Sequence, residues 1–362
     1  MNKRIEWIDI SKGIGIFLVI IGHTMLEPAI RTQIYVFHMP LFFLLSGFLF
    51  SHKKHPNAGS FTLAKAKSLL IPYTVFSFLS LYLGKILLEA EINLEAFMSA
   101  FLLSQRNALY FDEPLWFLTS LFTIEILFYF FVKYIKKPFI IWLAAAGLSI
   151  LSIRYLNALT AESVLPWSLD QSLYYLFYFA CGYVMKTTGL LRNSGKKSPL
   201  LLLASVIYLY LLVDNTIYTR IFQQISEIPY LPDSVFLFLN HAVWALLAIL
   251  FVFYLSQFLA FSFVKFLGEK SLIFLALHIS LGFNLTNYIT SGRLADYIPN
   301  PNLLGLVYSI AAVLIVSPIA ILITKYLPFL IGKSYNTART KHKQPKKSYA
   351  VSAPHHKKHE RL

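Results

Sequence analysis

The chain has 362 residues, 57% of them hydrophobic and 14% charged, with a mean hydropathy of +0.62, whereas an ordinary soluble domain is about 45–50% apolar and about 25% charged. That balance excludes a water-soluble fold of this length, and recurring apolar stretches, each needing about 20 residues to cross a bilayer, leave no room for a separate soluble domain. A net charge of +15 would suggest a nucleic-acid partner in a soluble protein, so the placement of the charges decides.

Basic clusters alternate with acidic connections. Lys3, Arg4 and Lys12 come first, then Glu27 and Arg31, then Lys53, Lys54, Lys65 and Lys67. Glu89, Glu91, Glu95, Asp112 and Glu113 follow, and the pattern continues to a basic tail from Lys333. Under the positive-inside rule every basic cluster is cytoplasmic, which places both termini in the cytoplasm and makes the helix count even. The charge is spread for topology and not gathered on one face, so a nucleic-acid partner is excluded. The fold predicted is all-α: a polytopic transmembrane bundle of about ten helices.

In chain order, the first apolar run follows a basic start as a secretion signal would, but no small-residue cleavage site comes after it, and it reads as a retained helix over 10–28. Further helices are expected over 34–51, 70–89, 115–134, 138–156, 171–187, 199–214, 235–260, 271–289 and 303–331. The sole cysteine, Cys181, lies in an apolar run and reads as packing, so an intramolecular disulfide and a cysteine metal cluster are both excluded. The long connections 90–114 and 215–234 carry aromatic, proline and acidic residues. They suit a surface meeting a polar substrate and equally suit solvated loops. Residues 1–332 form the membrane domain. The tail 333–362 lacks apolar periodicity, reads as disordered on the cytoplasmic side, and would attract anionic lipid head groups. His355, His356 and His359 could bind metal adventitiously, and no catalytic metal is expected there.

Ionisable residues inside a span are costly and mark candidate sites. The first helix holds Asp9, Lys12 and His23. The eleven residues from Lys12 to His23 return, at about 100° each, to within about 20° of one face over a rise of about 16.5 Å. A phosphate-bearing donor docked at Lys12 could thus reach a His acting as general base. The same residues also read as a positive-inside anchor and an interfacial polar group. Asp9 is close enough along the helix to pair with Lys12.

The stretch Trp7 to Thr24, WIDISKGIGIFLVIIGHT, resembles the opening of the family 3 membrane acyltransferases, whose first helix carries an Arg, ten residues and a His. Here Lys12 stands in the Arg position, keeping the charge and losing bidentate phosphate binding, with Asp9 and His23 in register. FHMPLFFLLSGFLF from Phe37, KAKSLLIPY from Lys65, PLWFLTSLF from Pro114 and SLIFLALHISLG from Ser271 resemble later family segments in the same order. The His-Met-Pro-Leu-Phe-Phe form looks most like the subgroup resembling fucose O-acetylases. The resemblance implies transfer of an acyl group, usually acetyl, from cytoplasmic acyl-coenzyme A to a hydroxyl of a surface glycan or its lipid-linked precursor, while the single cysteine and the topology fit a bacterial inner membrane. It gives His23 the base role and sets His278 on the cavity.

Other residues keep two readings. Lys12, Lys65 and Lys67 would favour donor phosphates or serve only as topology anchors. His38 could orient acceptor or sit in a wet interface, and Ser46 could bond the acyl carbonyl or its own helix backbone. Glu125 could orient a His or pair with a polar neighbour, Trp116 could line a pocket or join an aromatic belt, and His241 reads as packing. Gly13, Gly15 and Gly22 read as close helix contacts. A transporter or flippase of a glycan precursor is the alternative function, and the lack of an internal repeat weighs against it.

Overall fold

The computed structural model describes residues 6–53, 55–110, 113–159, 165–190, 198–214, 216–228, 230–259 and 261–333. Nearly all of the tail read from Lys333 lies outside these residues. Among the described residues the chain is all-helical, with no strand.

The helices are α1 (Glu6–Gly22), α2 (Pro28–Leu49), α3 (Ala58–Lys65), α4 (Ile71–Leu87), α5 (Leu94–Leu103), α6 (Trp116–Tyr134), α7 (Pro138–Leu156) and α8 (Leu169–Thr188). They continue as α9 (Pro199–Val213), α10 (Thr216–Ser226), α11 (Asp233–Leu255), α12 (Ser262–Glu269), α13 (Ser271–Leu277), α14 (Asn284–Thr290), α15 (Leu294–Tyr297) and α16 (Pro301–Tyr326). A π-helical turn, Ala66–Leu70, joins α3 to α4, and another, His278–Phe283, joins α13 to α14.

Each of the ten expected segments overlaps a helix, but the first runs past the end of α1, and fewer than ten described stretches qualify as membrane-crossing. Among the described residues seven stretches are long and apolar enough to cross a membrane, namely α2, Ala58–Leu87, α6, α7, α11, Ser271–Thr290 and α16, or eight if α9 and α10 form one broken span. The boundaries follow local chemistry. Proline stands in the first turn of α2, α4, α7, α9 and α16, where its missing N–H costs nothing. The Asn57 and Asn300 side chains accept from Ser60 and Leu303 N–H to start α3 and α16.

The bundle is centred on α8, which packs along α2 and α7 and also meets α6. Two glycines let α2 and α8 approach this closely: a Cβ at Gly47 would overlap the Phe179 carbonyl, and one at Gly182 would overlap that of Leu44. The α1–α12 crossing works the same way, with Gly13 against the Val264 carbonyl and Gly268 against the Asp9 carbonyl. Gly22, by contrast, has ordinary room around it. Phe43, Phe128, Tyr178 and Phe179 fill the interior, while Leu143, Leu203, Val206, Leu314 and Ile321 project from α7, α9 and α16 as a membrane-facing surface would.

Candidate active site

α1 ends at Gly22, so His23 sits in the turn beyond it and not within a helix running to 28. Its Nδ1 donates to the Val19 carbonyl at 2.8 Å. A carbonyl can only accept, so Nδ1 carries a proton, and in the neutral imidazole Nε2 then keeps its lone pair. His38, on α2 and 3% exposed, repeats the arrangement by donating Nδ1–H to Ile34 O at 2.9 Å. His278 is fully buried at the start of the second π turn, with Nδ1 2.9 Å from Phe274 O and 3.0 Å from Leu275 O. Its Nε2 has no hydrogen-bond partner. Each of the three histidines thus holds its Nδ1 to the carbonyl four residues before it.

The three rings converge. His23 meets His278 edge to face with centroids 5.1 Å apart, and Tyr35 lies 6.0 Å from His23 and 4.9 Å from His38. His23, His38, Tyr35, Arg106 and Trp116 line a cavity of about 170 Å³. The Arg106 guanidinium lies 5.2 Å over the Trp116 ring, a cation–π contact, and donates through Nη1 to Gln171 Oε1 at 3.0 Å. The backbone N–H of Arg106 donates to Ser168 Oγ, which fixes the connection against the start of α8.

A second cavity, also about 170 Å³, lies toward the start of α1 and is lined by Lys12, Ser46 and Ser271 among apolar residues. Met39 and Leu275 line both cavities and form the partition between them. Lys12 thus lines one of these cavities and His23 the other. A third cavity, about 310 Å³, adjoins the histidine chamber through Tyr35 and Arg106 and is lined by Arg31, His241, Tyr174 and Tyr175.

The remaining predicted residues lie elsewhere. Asp9 is buried at the α1–α12 crossing. Lys67 is exposed on the first π turn, two residues from the cavity-lining Leu69. Glu125 forms an ion pair with Lys65 at 2.6 Å, joining α6 to α3. The Cys181 sulfur accepts from Trp142 Nε1 at 3.2 Å. Among the described residues no group of three or more His, Cys, Asp or Glu side chains could hold a metal ion.

Sequence reasoning missed Tyr35 and Arg106 and passed over Arg31. The signal for the two arginines was a basic residue in a connection that otherwise carries acidic ones.

Long apolar helices, seven of them of membrane-crossing length among the described residues, make this an integral membrane protein. A family model described as an acyltransferase domain, that of acyltransferase family 3, matches residues 5–322. The chain belongs to that family and is a membrane acyltransferase. No curated protein and no solved structure matches it. The family assignment lends no support to the transporter alternative.

Proposed function

We propose that this acyltransferase moves an acetyl or other short acyl group from acyl-coenzyme A to a hydroxyl of a cell-surface glycan or lipid-linked glycan precursor, with His23 as general base. The observation that carries this reading is the partition of Met39 and Leu275 between a cavity holding Lys12 and a chamber holding His23. The donor enters beside Lys12, whose ammonium attracts its phosphates, with Lys67 adding positive charge near the mouth. The thioester arm passes the partition, and the acceptor hydroxyl arrives from the opposite end. The topology that fits is ten crossings in a bacterial inner membrane with both termini in the cytoplasm, which sets the Lys12 end toward cytoplasmic donor. The likeness of FHMPLFF to fucose O-acetylases favours a sugar hydroxyl.

In the transfer, His23 Nε2 takes the proton of the acceptor hydroxyl as its oxygen attacks the acyl carbon. The new C–O bond forms, the C–S bond breaks, and the coenzyme A thiolate leaves, recovering that proton from the imidazolium. The Nδ1–H bond to Val19 O holds the ring in the tautomer this requires. His278, edge-on to His23, supports the ring that becomes charged and offers a second basic nitrogen.

The test is transfer from labelled acetyl-coenzyme A to cell-surface glycan in membranes carrying wild type or His23→Ala at equal level. Label that appears with wild type and vanishes with the variant supports the reading, and label unchanged in the variant removes His23 as base.

A further inference from the structure

We infer that the acceptor carries an anionic group, a carboxylate or a phosphate, held between Arg31 and Arg106 in the 310 Å³ cavity beside the histidine chamber. The inference rests on the acyl-transfer reading and names the class of its acceptor. Both arginines line this cavity, His241 joins them, and none of its lining residues is acidic.

Their existing bonds go to neutral acceptors. Arg31 donates to the Thr24 and Leu26 carbonyls, and Arg106 to the Gln171 amide oxygen. No carboxylate pairs with either guanidinium among the described residues. Two cations lining one cavity, Arg31 exposed and Arg106 half-buried, repel each other, and with no counter-ion among the described residues they forgo the charge-assisted bonds that a guanidinium forms with carboxylate or phosphate. An anion from outside supplies both. Tyr35, Tyr174 and Tyr175 give flat walls suited to the faces of sugar rings. Because Tyr35 and Arg106 also line the histidine chamber, a saccharide anchored here by its charge directs a neighbouring hydroxyl toward His23.

The probes are cellobiouronic acid, glucose 1-phosphate and neutral cellobiose, whose equilibrium binding to the full-length protein in nanodiscs needs no donor. One or both anionic probes should bind at least about tenfold tighter than cellobiose, the scale of a hydrogen bond to a charged group. That margin should collapse in Arg31→Gln and in Arg106→Gln, and partly return in Arg106→Lys. Preference for the uronic acid places the charge on the glycan's own sugar, and preference for the phosphate places it on a lipid-linked precursor. Equal binding of all three probes, or a margin that survives both Gln variants, overturns the inference. Acyl transfer measured in parallel separates the two ideas. Transfer without a charge margin sinks the anionic acceptor alone, whereas a charge margin without transfer to any saccharide keeps the anion site and removes the acyl-transfer reading.

Discussion

His23 and His278 meet edge to face at 5.1 Å, each with Nδ1 turned to a backbone carbonyl of its own segment. The pairing brings the end of the first helix against the last broken one, so two distant parts of the sequence are in ring contact. Substituting either residue should separate their contributions. His23→Ala should lower acyl transfer by about 10²–10⁴-fold, the usual contribution of a positioned base. His278→Gln should lower it by a smaller factor while leaving donor KM unchanged. Initial rates at equal protein level decide, and an equal loss in both would make the pair a single catalytic unit.

The partition between the cavities should limit the rate. Leu275→Trp fills the passage and should cut kcat by at least about tenfold through misplacement of the thioester, with acceptor binding unaltered. Met39→Ala widens the passage and should raise acetyl-coenzyme A hydrolysis in the absence of acceptor, because water gains access. Thiol release with and without acceptor measures both effects.

Stability should be most sensitive where backbone meets backbone. Gly268→Val drives a side chain into the Asp9 carbonyl and should cost more than the roughly 1–3 kcal/mol of ordinary overpacking, with loss of a monodisperse peak on size exclusion. Gly147→Ala, where a Cβ meets nothing within 4 Å, should stay within about 0.5 kcal/mol of wild type. Thermal melts of the two proteins in one detergent make the comparison.

The Lys65–Glu125 pair is largely withdrawn from water, with side chains 24% and 7% exposed. Glu125→Leu strands the ammonium near the Phe61 ring and should destabilise by up to about 3–5 kcal/mol. The double variant Lys65→Met with Glu125→Leu should recover much of that loss. Failure of the double variant to recover would mean that the pair does more than offset its own burial.

The fold was legible wherever apolar periodicity was unbroken, as in α6, α7 and α16, whose starts fall within two residues of expectation. It was less legible at breaks. The apolar run through Leu26 hides the end of α1 at Gly22, since hydropathy does not register a turn whose polar groups bond locally, as Thr24 Oγ1 does to Ile21 O. The helix α12 lay in what reads as a basic connection, yet its Gly268 and Val264 make the tightest contact with α1. Of the site, the histidines stood out because a titratable group in an apolar run is rare. Arg106 did not, because a charge in a connection between spans is normally solvated. Only the folding of the 90–114 connection onto α8, through Ser168 and Gln171, turns it inward.

The π turn at His278–Phe283 bears on how this segment can vary. A π turn holds one residue more than an α turn, and each helical residue advances the chain by about 100°. Deleting a single residue from Ser280 to Gly282 would restore a regular helix and rotate everything beyond it relative to His278. Thr286 is now buried, and Tyr308 of α16 donates to Asn287. Both would swing to a different face if His278 kept its own. Gly282, where a Cβ would meet Ala312 at 2.7 Å, resists enlargement, and at Ile279 and Leu281, which are only partly buried, a one-residue deletion should be more damaging than a conservative replacement.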